Sequence, residues 1–252
     1  MNQSLYILTG ASRGLGAAIA EQLLTPHCVL LCIARKANPA LQTKALAEGA
    51  QLTQWQQDLA EPAPVADELT RWLATLDPAG FDRACLINNA GVISRVGPVD
   101  ESEATDLTRA LRVGLEAPLL LAAAFLRATA KWSAARRILN ISSGLGRRAM
   151  AGSATYCAAK AGLDNLSAAM ALDEASRPNG ARIVSLAPGV IDTDMQVQLR
   201  SADPGGFPDQ GNFIAMKTQG RLATASDAAR QVVKFLNRTD FGDQVIADVR
   251  QA

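Results

Sequence analysis

Short apolar runs alternate with longer amphipathic segments along most of the chain. The apolar runs predict strands at 5–8, 28–34, 50–55, 84–88, 137–141, 181–186 and 244–249. Helical spacing of apolar positions predicts helices at 14–24, 64–76, 104–132, 155–175 and 226–237. This alternation is typical of a parallel sheet covered by helices on both faces. The chain is therefore predicted to form one doubly wound α/β domain over residues 1–252, with about seven strands.

The segment 189–222 breaks this rhythm. It is rich in Gly, Pro, Asp and Gln, and its sequence predicts no strand. A loop of this length inside a compact domain is usually functional or disordered. We predict a substrate lid, in which Met195, Phe207, Phe213 and Met216 line an apolar pocket. The alternative is that these side chains only anchor the loop to the body.

Composition excludes several classes of function. The net charge is +1, so no overall field draws the chain to nucleic acid or to an anionic membrane. No apolar run approaches the roughly 20 residues of a membrane span. The four cysteines form no CxxC pair and there is a single histidine, so no metal site is predicted. Buried, reduced thiols in a cytoplasmic protein are expected.

A glycine-rich turn follows the first predicted strand and opens the first helix. Its spacing is Gly10-x-x-x-Gly14-x-Gly16, which differs from the ordinary G-x-G-x-x-G fingerprint. Glycines let backbone N–H groups approach a pyrophosphate closely, and the helix N-terminus attracts negative charge. Ordinary turns also need glycine, so the position of this turn at the first strand–helix junction is what favours a dinucleotide.

The end of the second strand indicates which dinucleotide fits. A site selective for NAD usually has an acid there for the ribose 2′-hydroxyl. This strand instead ends in Ala34-Arg35-Lys36, and Arg13 lies in the glycine-rich turn. Two guanidinium groups suit a 2′-phosphate, so NADP(H) is predicted. The alternative is that Arg13 and Arg35 are ordinary surface charges.

Three residues suggest catalysis. Tyr156 and Lys160 are four positions apart on a predicted helix, so they share a face. The ammonium is expected to lower the pKa of the phenol toward working pH. Ser143 follows a predicted strand and offers a hydroxyl to a substrate oxygen. Tyr-x-x-x-Lys alone occurs often by chance, and its combination with the serine and the glycine-rich turn makes it informative.

Together these motifs resemble the short-chain dehydrogenases/reductases along nearly the whole chain. The matching segments are Thr9-Gly10-Ala11-Ser12-Arg13-Gly14-Leu15-Gly16, Asp58-Leu59, Asn88-Asn89-Ala90-Gly91, Ile141-Ser142-Ser143, Tyr156-x-x-x-Lys160 and Pro188-Gly189-Val190-Ile191-Asp192-Thr193. The resemblance implies a Rossmann-type fold and an enzyme whose catalytic residues are Ser143, Tyr156 and Lys160. It also implies a homodimer or homotetramer, formed through the helices that carry Gly114 and Tyr156.

The same resemblance implies where the cofactor lies. Asp58 and Leu59 would flank the adenine, and Ile191 and Thr193 would hold the nicotinamide amide. The full predicted set for NADP(H) is Gly10, Ser12, Arg13, Gly14, Leu15, Gly16, Arg35, Asp58, Leu59, Asn88, Ala90, Gly91, Tyr156, Lys160, Pro188, Gly189, Ile191 and Thr193. Substrate contacts are expected from Gly144, Leu145, Met195 and Phe213.

A narrower resemblance is to sepiapterin reductases and the bacterial benzil reductases. It rests on Asp192-Thr193-Asp194-Met195-Gln196 and on Lys217-Thr218-Gln219-Gly220-Arg221-Leu222. One departure from the branch concerns the carboxylate with which sepiapterin reductases anchor the pterin. That position aligns with Ile246, and Asp248 lies two residues further on. Pterin reduction is therefore the secondary hypothesis.

A second departure is Gly114, where the family usually has an asparagine that helps to hold a water in the proton relay. Its backbone carbonyl remains, so we expect catalysis to survive and Gly114→Asn to have little effect if the side chain fits. The leading hypothesis is an NADPH-dependent reductase of a small-molecule ketone or diketone, with Tyr156 as the general acid. An alternative of another class is a catalytically weak NADPH-binding sensor or scaffold.

Overall fold

The computed structural model describes residues 3–251, and in them seven strands form one sheet. The strands are β1 Gln3–Thr9, β2 Cys28–Ala34, β3 Gln51–Gln56, β4 Phe81–Asn88, β5 Ala135–Ile141, β6 Arg182–Ala187 and β7 Ile246–Asp248. Their order is β3-β2-β1-β4-β5-β6-β7, and every neighbouring pair is parallel. In register, Leu5 of β1 lies beside Val29 of β2 and Ala84 of β4. The chain thus winds outward from β1 in both directions, which confirms the predicted doubly wound α/β fold.

Helices connect these strands. They are α1 Gly14–Leu23, α2 Pro39–Glu48, α3 Pro62–Leu73, α4 Ala104–Leu111, α5 Ala117–Ala128, α6 Ala154–Ala175, α7 Asp194–Arg200, α8 Gln210–Thr218 and α9 Ala225–Leu236. A five-residue π-helical turn, Arg112–Glu116, joins α4 to α5. No helix in residues 3–251 is long and apolar enough to cross a membrane.

The core has two layers, one on each face of the sheet. Leu5 and Ile7 of β1 face a cluster that includes side chains of α3 and α5. Tyr6 and Leu8 point the other way, into a cluster with α1 and α9. Successive side chains of a strand alternate between its faces, so a central strand that is apolar at every position is buried on both. Three of the four cysteines belong to these layers, and burial raises the pKa of the Cys28, Cys32 and Cys85 thiols to about 12.

The structure differs from the sequence-based prediction of secondary structure in four places. The predicted helix 104–132 is broken by the π-helical turn and ends at Ala128. The segment 189–222 contains two helices, α7 and α8, where only a loop was expected. Helix α2 was not predicted, because its weak apolar face buries only Leu41 and Ala45. Strand β7 spans three residues rather than the predicted six.

Candidate active site

One cavity of about 650 Å³ opens at the carboxyl ends of the strands. In doubly wound sheets the crevice outside these ends is where ligands bind. Apart from Asn88 and Phe207, every residue predicted to contact cofactor or substrate lines this cavity. The structure therefore brings together the turn after β1, the end of β2, the segment after β5, the start of α6 and the segment after β6.

Two glycines of the glycine-rich turn, Gly10 and Gly16, have no room for a side chain. A Cβ on Gly16 would lie 2.1 Å from the carbonyl oxygen of Gly10. Gly10 has φ +74°, and a Cβ there would lie 2.9 Å from Cα of Ala90. These positions therefore require glycine for close backbone approach as well as for the conformation of the turn.

Asn89 connects the glycine-rich turn to the end of β4 through hydrogen bonds. The sequence did not predict this role. Nδ2 of Asn89 donates to the carbonyl oxygen of Thr9 at 3.0 Å, and its backbone N–H donates to Oγ1 of Thr9 at 3.0 Å. Asn88, by contrast, turns its side chain away from the cavity and donates from Nδ2 to Oδ1 of Asn140 at 2.8 Å. Side chains alternate along a strand, so only one residue of such a pair can face the crevice. The asparagine that lines the cavity is Asn89.

The two predicted phosphate-binding arginines differ in their surroundings. Arg35 is exposed, lines the cavity, and has no ion pair or hydrogen bond from its side chain within residues 3–251. The guanidinium of Arg13 is paired with the carboxylate of Asp194 at 2.5 Å, at the start of α7. Among the described residues, Arg35 is therefore a cation at the end of β2 that lines the cavity and has no partner, while Arg13 contacts the segment 189–222.

Ser143, Tyr156 and Lys160 all line the cavity. Ser143 follows β5 and accepts a hydrogen bond at Oγ from the backbone N–H of Leu145 at 3.2 Å. Lys160 is 5% exposed, and its Nζ donates to the carbonyl oxygen of Ile141 at 2.7 Å. Nζ also lies 5.7 Å from the ring centroid of Tyr156.

Burial dominates the acid–base properties of this trio. Desolvation raises the pKa of Tyr156, and its hydrogen bond with Ser143 acts in the opposite direction. Desolvation also lowers the pKa of Lys160 to about 8. The nearby Asp164 carboxylate has the opposite, smaller effect on this pKa. The expected lowering of the Tyr156 pKa is therefore wrong for this structure. The phenol stays protonated at neutral pH, as a proton donor must be.

A buried carboxylate supports the trio from one turn further along α6. Oδ1 of Asp164 accepts hydrogen bonds from the hydroxyls of Ser142 and Ser185, both at 2.6 Å. Its Oδ2 pairs with Nε of Arg147 at 3.2 Å, and Arg147 also donates to the carbonyl oxygen of Ala247 at 2.9 Å. Asp164 thus joins α6 to the ends of β5, β6 and β7. No sequence motif identified it.

Gly114 lies in the π-helical turn, where it packs against α6. A Cβ at this position would lie 3.0 Å from Cβ of Ala159, the residue before Lys160. This contact is tighter than ordinary packing, so an asparagine fits only where Ala159 or the turn gives way by a few tenths of an ångström. Lys160 nevertheless still lines the cavity.

A group of apolar side chains also lines the cavity. Met195, Phe213 and Met216 of the segment 189–222 line it, as that segment was predicted to do. Phe207 does not: it is fully buried and stacks on Phe213, with ring centroids 5.6 Å apart. Phe207 therefore fits the alternative interpretation, in which an apolar side chain anchors the segment 189–222 and does not line the pocket. Sequence reasoning missed the other apolar lining residues, Ile93, Met150 and Leu199.

The last strand offers no free carboxylate to this cavity among the described residues. Asp248 is 6% exposed, and both of its oxygens bind the guanidinium of Arg250, at 2.9 and 2.6 Å. That hydrogen bonding lowers the pKa of Asp248. Arg250 lines the cavity, whereas Asp248 and Ile246 do not.

Comparison with known proteins agrees with this geometry. The family model for short chain dehydrogenases matches residues 5–204. A benzil reductase ((S)-benzoin forming) of Bacillus cereus is 31% identical over 235 residues, which cover 93% of this chain and 94% of that protein. A sepiapterin reductase of Meriones unguiculatus is 30% identical over 249 residues, or 94% and 93% of the two chains. The crystal structure of a metagenomic short-chain oxidoreductase in complex with NADP has a TM-score of 0.71 and 27% identity, over 98% of this chain and 95% of that one.

A cavity lined by the glycine-rich turn and by Ser143, Tyr156 and Lys160 is what a dinucleotide-dependent oxidoreductase needs. The chain belongs to the short-chain dehydrogenase family, which confirms the predicted family and the prediction that it is an enzyme.

Proposed function

We propose that this protein is an NADPH-dependent carbonyl reductase that acts on apolar ketones or diketones, like the benzil reductases to which it is similar. The observation that carries the proposal is the convergence of Ser143, Tyr156 and Lys160 in the cavity that also contains the glycine-rich turn and Arg35.

The residues present fit NADP(H), the cofactor bound in the metagenomic relative. The turn at Gly10 and Gly16 excludes side chains and so leaves space for a pyrophosphate. The unpaired guanidinium of Arg35 suits a 2′-phosphate. Lys160, with its ammonium, would hold the nicotinamide ribose, and Ile191 and Thr193 would hold the amide. When bound, NADPH supplies the hydride that reduces the carbonyl carbon.

The side chains divide the remaining work among them. Ser143 binds the carbonyl oxygen and orients it toward Tyr156. Tyr156, protonated because burial raises its pKa, gives its phenolic proton to that oxygen as the alcohol forms. The ammonium of Lys160 stabilises the resulting phenolate, which then recovers a proton from solvent.

The pterin alternative receives less support from this site. A sepiapterin reductase is among the relatives, yet the carboxylate nearest to the aligned position, Asp248, is held by Arg250 outside the cavity lining. The described residues form one sheet, which supports a single domain. The substrate lid at 189–222 and the homo-oligomer remain predictions that belong to the same proposal.

The test is NADPH oxidation with a panel of diketones, quinones, pterins and simple ketones, run with wild type and with Tyr156→Phe. We expect turnover of apolar ketones or diketones, and a loss of roughly 100-fold or more in kcat for the variant, because a general acid typically contributes 10²–10⁴-fold. NADPH affinity should stay close to normal. A loss below about tenfold would remove Tyr156 from this role. Stoichiometric NADPH binding without turnover of any carbonyl would favour the sensor.

A further inference from the structure

An ion pair joins two segments that line the cavity, the glycine-rich turn and the start of α7. Nη1 of Arg13 lies 2.5 Å from Oδ2 of Asp194, and both residues line the cavity. The backbones of the two segments are also close, since a Cβ on Gly14 would lie 3.6 Å from Cγ2 of Thr193. The carboxylate of Asp194 is therefore held at the turn that is expected to bind the phosphates of a dinucleotide.

This ion pair is exposed, and it stands alone. The side chains of Arg13 and Asp194 are 71% and 67% exposed. Within residues 3–251, neither side chain has another ion pair or hydrogen bond. Water screens charges at this exposure, so such a pair contributes little to stability. Arg13 can therefore leave Asp194 at small cost when a stronger anion is offered.

The 2′-phosphate of NADPH is such an anion. A phosphate monoester carries close to two negative charges at neutral pH and three acceptor oxygens, and it binds a guanidinium through two parallel hydrogen bonds. A carboxylate at the same guanidinium neutralises its charge and repels the phosphate. Arg35 has no such rival among the described residues. The two cations of the predicted phosphate site thus differ, because only Arg13 has an acid to give up.

We propose that Asp194 is a specificity-determining residue of the cofactor site, whose carboxylate competes with the 2′-phosphate of NADPH for the guanidinium of Arg13. Binding of NADPH transfers Arg13 from Asp194 to the phosphate. NADH has no 2′-phosphate and leaves the ion pair in place, so Asp194 reduces the preference for NADPH. This inference rests on the proposed function and adds to it an acid outside the end of β2 that takes part in the choice of dinucleotide.

The experiment measures the dissociation constants of NADPH and NADH by equilibrium titration. The proteins are wild type, Asp194→Asn, Arg13→Met and the double variant. Asp194→Asn should bind NADPH roughly 1.5- to 5-fold more tightly than wild type, which is the range for one exposed ion pair. Its affinity for NADH should stay as in wild type. In the Arg13→Met background, the change Asp194→Asn should have no effect on NADPH, because the guanidinium for which the two anions compete is gone.

Four results would overturn the proposal. A gain in NADPH affinity that persists in the Arg13→Met background would show that Asp194 repels the cofactor through space. Equal gains for NADPH and NADH would show that the 2′-phosphate is not the competing anion. Weaker NADPH binding by Asp194→Asn would show that the ion pair closes over the bound dinucleotide, and unchanged binding would show that Arg13 does not exchange partners.

The control variant is Asp203→Asn, which removes the same charge from an exposed position of the segment 189–222 that does not line the cavity. Both affinities should be as in wild type, and a gain equal to that of Asp194→Asn would assign the effect to net charge and refute the proposal.

These titrations require no turnover, so they keep the inference separate from the proposed function. If no carbonyl is reduced but Asp194→Asn tightens NADPH binding only when Arg13 is present, the reductase proposal fails and the competition stands. If carbonyls are reduced and the dissociation constants of Asp194→Asn match those of wild type, the reductase proposal stands and the competition is wrong.

Discussion

At the scale of single residues, missing side chains and a missing acid shape the cavity as much as the side chains that line it. Gly10 and Gly16 remove side chains where backbone must approach backbone. At the end of β2, the lack of an acid leaves the Arg35 guanidinium without a partner in the described chain. Arg13 was expected to share that task, but the structure pairs it with Asp194. We therefore expect Arg35 to dominate the choice of dinucleotide.

Arg35→Asp should weaken NADPH binding and improve the use of NADH. The change replaces a cation that attracts the 2′-phosphate with an anion that repels it, and a charge-assisted hydrogen bond contributes about 1.5–3 kcal/mol. The expected loss in kcat/KM for NADPH is therefore at least roughly tenfold. The control is Lys36→Asp, which makes the same change in charge at a neighbouring residue that does not line the cavity. A wild-type enzyme that prefers NADH would contradict the argument.

Lys160→Met should stabilise the nucleotide-free protein at pH 7. Burial lowers the pKa of Lys160 from 10.5 to about 8, so the unfolded chain binds this proton more readily than the folded one. Protonation of Lys160 therefore destabilises the folded protein. This loss of stability is complete below pH 8, and it disappears as the pH rises toward 10.5. We expect a difference between the proteins of about 1–3 kcal/mol at pH 7 that narrows at pH 10.

Urea unfolding of wild type and Lys160→Met at both pH values measures this difference directly. Lys131→Met, at an exposed position, is the control and should show no difference that varies with pH. If the gap for Lys160→Met is the same at pH 7 and pH 10, desolvation of Lys160 is not its cause.

At the scale of elements, α6 organises the site through an unusual buried face. Lys160, Asp164 and Ser167 follow one another at helical spacing, and all three are buried toward the sheet. Ser167 accepts a hydrogen bond from Nδ2 of Asn140 at 2.8 Å, and Asp164 accepts from Ser142 and Ser185. Polar contacts between this helix and the ends of two strands, β5 and β6, hold the catalytic residues in position more specifically than apolar packing does.

The π-helical turn between α4 and α5 packs against this helix. A side chain on Gly114 would press on Ala159, between Tyr156 and Lys160. Gly114→Asn alone should therefore lower kcat, by less than about tenfold, because α6 carries Tyr156 and Lys160 and must give way by only a few tenths of an ångström. The double variant Gly114→Asn/Ala159→Gly removes the obstructing methyl group and should recover much of that rate.

Steady-state kinetics of the two variants and of Ala159→Gly alone test this. Equal rates for Gly114→Asn and wild type would show that the helices yield easily and that the steric argument fails. A wild-type enzyme without activity that gains it through Gly114→Asn would instead support the sensor hypothesis.

At the scale of the whole molecule, the sequence itself predicts the doubly wound parallel sheet and the site of ligand binding. Continuous apolar strands and a glycine-rich turn after β1 predicted the sheet and its ligand-binding edge. Asp164 could not be predicted, because its role depends on hydrogen bonds between segments far apart in the chain. The break at Arg112–Glu116 was equally hidden, since the residues on both sides of it favour helix. Asn88 and Asn89 could have been distinguished by the alternation of side chains along β4.

A buried ion pair remote from the cavity gives a test of how the whole fold is held together. Arg136 of β5 and Glu174 of α6 have side chains that are 2% exposed and lie 3.1 Å apart. Glu174 also accepts a hydrogen bond from the backbone N–H of Ala181 at 2.8 Å, and Nε of Arg136 donates to the carbonyl oxygen of Asn179 at 3.0 Å. The pair thus joins the start of β5, the end of α6 and the turn into β6.

Glu174→Ala should reduce the free energy of unfolding by about 3–5 kcal/mol, because it leaves the Arg136 charge buried without its counterion. The control is Asp243→Ala, which removes the partner of Arg182 from an exposed pair 3.5 Å apart and should change stability by less than about 1 kcal/mol. Denaturant unfolding of both variants measures the two effects under the same conditions. Equal losses for the two would mean that water reaches Arg136 and that this junction is more open than the structure indicates.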